Sequence, residues 1–232
     1  MEAIRIRTHQ AISGMIVAAD IYSYDDQLII KKGSKLDDRM ITKLRFFNVH
    51  GLFVYKNDPS DEDQREETYI AALRNTPEFK NFNLKYNEFI EKVKDIFDKM
   101  LTGDSKVDIE GILTDIGLIL KEGRNGVHIL EMLHGIRDYD DLTYVHSLNV
   151  SLICNIFAGW LKMSNEETKI ITLAGLFHDI GKLLIPQEIL TKAGKLTAKE
   201  YEEAKLHTIK GYHVLKDLNL DVRIKHSALL HH

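Results

Sequence analysis

The sequence predicts an α+β protein, a small N-terminal β-rich module followed by an all-α helical bundle. Two observations carry this. Up to about residue 57 the apolar residues fall in short runs broken by turn residues. After residue 67 they recur at three- and four-residue spacing almost to the end of the chain.

In the module, Ala3–Arg7, Met15–Ser23 and Gln27–Lys31 read as strands, with Gly14 and the Asp25-Asp26 pair as turn signals. Ser34–Phe47 reads as an amphipathic helix, because Leu36, Met40, Ile41 and Leu44 fall at helical spacing. Gly51–Tyr55 is a last short strand. A module spanning residues 1–57 is near the lower limit for independent folding, so it is expected to lean on the C-terminal helices. Lys56–Glu67 reads as a polar, acidic, solvated linker.

Beyond the linker the pattern is helical. Phe82–Met100 places Leu84, Phe89, Val93, Ile96, Phe97 and Met100 on one broad face, and Val107–Leu120 and Val127–Ile136 repeat the pattern. Leu142–Leu161 is a long apolar helix carrying His146. Ser164 and Glu167 form a capping box for a helix running to about Ile180, with Gly181 expected as its stop. Thr197 and Glu200 form a second box, opening a helix that contains His207. The expected division is a module at 1–57, a linker and helical region at 58–136, and a C-terminal domain at 137–232.

Composition works by exclusion. With 232 residues, 44% of them apolar, the chain can bury a core, and a net charge of −4 argues against a general nucleic-acid binder. No apolar run approaches the roughly 20 residues that cross a bilayer. The N-terminus opens with charge and lacks the apolar stretch of a signal peptide. Cys154 is the sole cysteine, so a reducing, cytoplasmic location is expected. No DNA and no membrane partner is expected.

The chemistry concentrates in His178-Asp179-Ile180-Gly181-Lys182. An imidazole and a carboxylate side by side can bind one metal and reach toward a second, and a lysine three residues on adds a mobile cation. That is equipment for stabilising a phosphoryl transition state. His146, His207 and the pair His231-His232 lie too far apart in sequence for a local motif, so as ligands they would converge across a bundle core. Asp179 is the natural bridge, since a carboxylate can give one oxygen to each of two cations. Imidazoles suit iron, zinc, manganese or nickel better than calcium.

These residues, with Ile185-Pro186, Leu190-x-Lys192, Gly194-Lys195-Leu196-Thr197, His207, Gly211 and Leu215 after them, resemble the HD superfamily of metal-dependent phosphohydrolases. More narrowly they resemble the HD-GYP class of cyclic di-GMP phosphodiesterases. Asp140, Thr143 and His146-Ser147-x-Asn149-Val150 are similar to the upstream signature of that class. The likeness covers about residues 138 to 232 and makes the expected bundle an HD-type one. The first 57 residues more loosely resemble a small β-rich module found before such domains.

The resemblance implies metal ligands at His146, His178, Asp179, His207, His231 and His232, with Asp179 and Lys182 as the catalytic pair. Lys182 would contact the scissile phosphate or the attacking water. Lys192 and Lys195 are further candidates for substrate binding, as a basic loop beside a phosphate site. Some members carry a glutamate four residues before the first histidine for a third metal; Leu142 stands there, so two divalent transition metals are expected, iron or manganese ahead of nickel or zinc. The class continues past its His-His pair with a glycine-tyrosine-proline loop, so the domain is expected to be incomplete at His232. Gly211-Tyr212 lacks the proline and reads as a packing position. His9, His50, His128, His134, His213 and His226 read as surface or core residues.

The expected activity is hydrolysis of a cyclic dinucleotide, cyclic di-GMP first, by a metal-dependent phosphodiesterase. A catalytically impaired signalling or interaction module, and an HD phosphohydrolase acting on another nucleotide, stay open. So do a homodimer and a signalling-protein partner.

Overall fold

The structure is a computed structural model that describes residues 3–23, 27–47, 49–55, 69–103, 106–136, 142–192 and 195–232. The Asp25-Asp26 turn, the linker 56–67, Asp140 and Gly194 lie outside these residues. The chain divides into two compact units, and neither is contiguous in sequence. The first takes the described residues of Met1–Leu73 with Ile185–Lys205, and the second takes Arg74–Ile136, Thr143–Leu184 and Leu206–His232. These differ from the division at 57 and 136 that composition suggests.

The first unit is built on an antiparallel sheet in the order β1 (Ala3–Arg7), β5 (Gly51–Tyr55), β2 (Ile16–Val17). Its register runs from Ala3 opposite Tyr55 to Arg7 opposite Gly51. A second antiparallel pair joins β3 (Ile21–Tyr22) to β4 (Leu28–Ile30). Alternation decides the faces: Leu52 and Val54 are buried and the intervening Phe53 is exposed. They join Val17, Ile30, Leu36, Ile41 and Leu44 in one core. Helix α1 (Asp38–Phe46) starts four residues later than its periodicity suggests. Lys35 instead bridges Ile16, and the Leu36 amide donates to the Met15 carbonyl at 2.7 Å. Asp37 then accepts from the Met40 amide at 2.7 Å and opens the helix.

The second unit is helical. Its elements are α2 (Pro77–Leu101), α3 (Ile109–Leu120), α4 (Gly126–Gly135), α5 (Leu142–Trp160), α6 (Asn165–Phe177) and a 3-10 helix (Ile180–Leu184). The short α7 (Gln187–Leu190) comes next, in the first unit, then α8 (Ala198–Leu215) and α9 (Val222–Leu230). Thr76, Asp108, Asn125 and Asp221 each accept a backbone amide at a helix start. Both expected capping boxes are present, Ser164 with Glu167 and Thr197 with Glu200. On α2 the buried stripe is Phe79, Phe82, Tyr86, Phe89, Ile90, Val93, Phe97 and Met100. Leu84 falls off that stripe and is 58% exposed, contrary to its expected place on the core face.

Candidate metal centre

Small residues let two helices cross closely and so bring the first ligands together. A Cβ on Gly175 of α6 would stand 3.1 Å from both the Ser151 backbone and the Cys154 sulfur of α5. The Ser151 hydroxyl donates to the Thr172 carbonyl at 2.8 Å, and the Asn155 amide to the Thr172 hydroxyl at 3.0 Å. These bonds satisfy polar groups that would otherwise be buried without partners. His146, early on α5, thereby meets His178 at the end of α6, ring centroids 5.2 Å apart.

Helix α6 ends at Phe177, with His178 as its right-handed C-cap, and the chain tightens directly into the 3-10 helix. Gly181 is therefore not the expected left-handed stop, and it is absent from the residues with positive φ. Its lack of a side chain serves close approach. A Cβ there would overlap the His207 carbonyl oxygen and lie 2.5 Å from the Gly211 amide nitrogen. Gly211 faces Gly181 and Ala228, the packing position its sequence context suggests. This contact sets α8, and with it His207, against the turn that carries Asp179. Helix α9 packs on α6 and ends at His231 and His232.

The six ligand candidates form two groups, His146 with His178 and Asp179, and His207 with His231 and His232. Asp179, 1% exposed, lies between them. Its Oδ2 is 3.2 Å from His146 Nε2, 3.1 Å from His178 Nε2 and 2.7 Å from Lys182 Nζ. Its Oδ1 is 3.6 Å from His207 Nε2 and 3.4 Å from His231 Nε2, and has no hydrogen-bond partner among the described residues. His207 Nε2 lies 3.2 Å from His231 Nε2 and 3.1 Å from His232 Nε2.

The tautomers suit a cation. His178 Nδ1 donates to the Gly175 carbonyl at 2.8 Å and His231 Nδ1 to the Ser227 carbonyl at 3.1 Å. A carbonyl only accepts, so Nδ1 carries the proton and a neutral ring turns its Nε2 lone pair inward. Burial pushes His146 down to about 4 against the opposing pull of Asp179, which leaves it neutral near pH 7. Burial acts to raise Asp179, but Lys182, His178 and the bond to His146 hold it well below the usual carboxylate range. Neutral imidazoles around an ionised carboxylate, with one buried oxygen lacking a partner, are the donor set that a divalent transition metal takes. The residues fit such an ion.

Lys182 is 4% exposed and belongs to this cluster. Lys192 and Lys195 are not gathered into it. Lys192 pairs with Glu200 at 2.5 Å, and the Lys195 ammonium lies 5.7 Å from the centroid of the Tyr22 ring. Sequence reasoning missed Tyr86, whose hydroxyl donates to Asn149 Oδ1 at 2.7 Å and so grips the turn of α5 that carries His146. Its place on a helical stripe reads simply as core.

Residues 143–232 match the HD domain family. The chain is 34% identical over 97 residues to a cyclic di-GMP phosphodiesterase of Pseudomonas aeruginosa, a match covering 42% of this chain and 23% of that protein. It is 37% identical over 92 residues to a cyclic di-GMP phosphodiesterase of Thermotoga maritima, covering 39% and 25%. A 3′3′-cGAMP-specific phosphodiesterase of Vibrio cholerae is 48% identical over 59 residues, covering 25% and 14%. The chain belongs to the HD-GYP family. The HD domain begins at α5 and contains every residue of the centre, whereas Tyr86 lies before it in the same compact unit. The matches span about a quarter or less of the length of these relatives. Among the described residues no helix is long and apolar enough to cross a membrane.

Proposed function

We propose that this HD-GYP chain is a metal-dependent phosphodiesterase that hydrolyses a cyclic dinucleotide, with cyclic di-GMP as substrate, at a centre of two cations shared by Asp179. The single observation behind this reading is the division of labour at that carboxylate: Oδ2 faces His146 and His178, and Oδ1 faces His207 and His231. His207, His231 and His232 with Oδ1 would hold one cation; His146 and His178 with Oδ2 would hold the other. Iron or manganese suits these donors.

When bound, two such cations make water nucleophilic near neutral pH and offset charge on phosphoryl oxygens. The residues supply the rest. The Gly175 and Ser227 carbonyls keep His178 and His231 in the tautomer that presents Nε2. Asp179 stays ionised and central. Lys182 brings an ammonium to its edge, where it can meet the charge that builds on phosphorus-bound oxygen. The names of the relatives support a cyclic dinucleotide and leave cyclic di-GMP and 3′3′-cGAMP to be compared.

The test is metal analysis of protein purified without chelator, paired with hydrolysis assays on both dinucleotides. Two equivalents of metal and turnover of cyclic di-GMP, both abolished in Asp179→Ala, are expected. Metal-loaded protein that cleaves neither substrate would overturn the reading.

A further inference from the structure

The two oxygens of Asp179 are not equivalent. Oδ2 already meets a cation, since Lys182 Nζ is 2.7 Å away and both side chains are almost wholly buried. Oδ1 faces imidazole nitrogens alone, at 3.4 and 3.6 Å, and has no hydrogen-bond partner among the described residues.

We infer that the two metal positions fill in a set order. The position of His207, His231, His232 and Oδ1 loads first; that of His146, His178 and Oδ2 loads second, and only as Lys182 withdraws from Oδ2. This rests on the two-cation reading above and adds to it an order and a switch.

Ligand count and charge point the same way. The first position offers three imidazoles and an oxygen that no ammonium touches. The second offers two imidazoles and an oxygen shared with Lys182. A divalent ion arriving there meets a positive charge at contact range in a buried site, where salt screens little. Lysine has a flexible stem of four carbons, so its ammonium can leave Oδ2 while the 3-10 helix stays in place. Once displaced, it turns to a phosphoryl oxygen. Loading of the second cation thereby readies the lysine for substrate.

The experiment is calorimetric titration of the metal-stripped full chain with Mn2+, with the electron paramagnetic resonance signal followed in parallel. Two steps are expected, the first tighter by about tenfold or more. His178→Ala should abolish the weaker step alone, and His231→Ala should weaken the tighter one. Lys182→Met should tighten the weaker step about tenfold and leave the tighter step in place. Two equal steps, loss of the tighter step in His178→Ala, or a weaker step unmoved by Lys182→Met would overturn the order. The wild-type and His178→Ala titrations decide the matter even if Lys182→Met fails to fold. Uptake of one equivalent or none by wild type and Lys182→Met alike would instead refute the two-cation reading beneath, and the order with it.

Discussion

Gly181 and Gly211 lie backbone to backbone, so close that a Cβ on Gly181 would stand 2.5 Å from the Gly211 amide nitrogen. One glycine belongs to the turn that carries Asp179 and Lys182, and the other lies one helical turn beyond His207 on α8. The contact joins the two halves of the centre through main chain alone.

Gly181→Ala should therefore destabilise the fold by about 1–3 kcal/mol, the usual cost of overpacking. It should also lower metal content, because α8 must move away from Asp179. Gly211→Ala should cost less, since its added Cβ would meet the Gly181 nitrogen at 3.2 Å and Ala228 at 3.5 Å. Denaturant unfolding and metal analysis of the two variants check the ranking, and the reverse order would contradict it.

Asp179→Asn preserves shape and removes charge. Both cations should be lost, because each relies on one oxygen of the same carboxylate and nothing else anionic lies between them among the described residues. Elemental analysis is the measurement; a variant that kept two equivalents would take the bridge away from Asp179.

Lys182→Ala, assayed at saturating metal, should keep two equivalents and turn over about a hundredfold more slowly, as expected for loss of a group that meets transition-state charge. Unchanged kcat in that variant would confine Lys182 to metal loading.

Tyr86→Phe removes a buried hydroxyl that donates to Asn149 from outside the HD-domain match. A loss of about 1–2 kcal/mol is expected, as one partner is left unsatisfied. A single cooperative unfolding transition shifted as a whole would show that residues 74–136 fold as one body with the HD helices. A shift confined to a separate transition would argue the opposite.

Glu200 titrates low, to about 2, because it accepts hydrogen bonds from the Lys192 side chain and from Thr197. Its folded value lies below its unfolded value, so its contribution is full above the unfolded value of 4.5 and is lost as pH falls toward about 2. Glu200→Gln should therefore melt lower than wild type at neutral pH, and the difference should close between about pH 4 and 2. Melting curves across that range test the sign; a gap that widens on acidification would refute it.

Much of the secondary structure and the identity of the ligand candidates are legible in the sequence, because their signals act over a few residues. Both capping boxes, the strands Ala3–Arg7 and Gly51–Tyr55 and the helical stripes come from local hydrogen bonding and from the side-chain periods of 2 and 3.6. His178-Asp179 with Lys182 declares its chemistry in the same way. Where two local preferences compete the reading slips: residues 34–36 carry a helical pattern yet pair with β2, since sheet hydrogen bonds to Met15 and Ile16 satisfy their backbone first.

Tertiary structure alone decided the rest. The sequence names Asp179 as a bridge and cannot say which oxygen faces which histidines, or that Lys182 would occupy Oδ2. It offers Lys192 and Lys195 as phosphate contacts, and packing instead sets one against Glu200 and the other over Tyr22. It reads Gly181 as a helix stop, whereas the fold needs the space its missing Cβ leaves for α8. The physical reason is common to all three. Which atoms meet across helices depends on how closely the backbones approach, and that distance is set by pairs such as Gly181 with Gly211 and Gly175 with Ser151, remote in sequence and silent until the chain is folded.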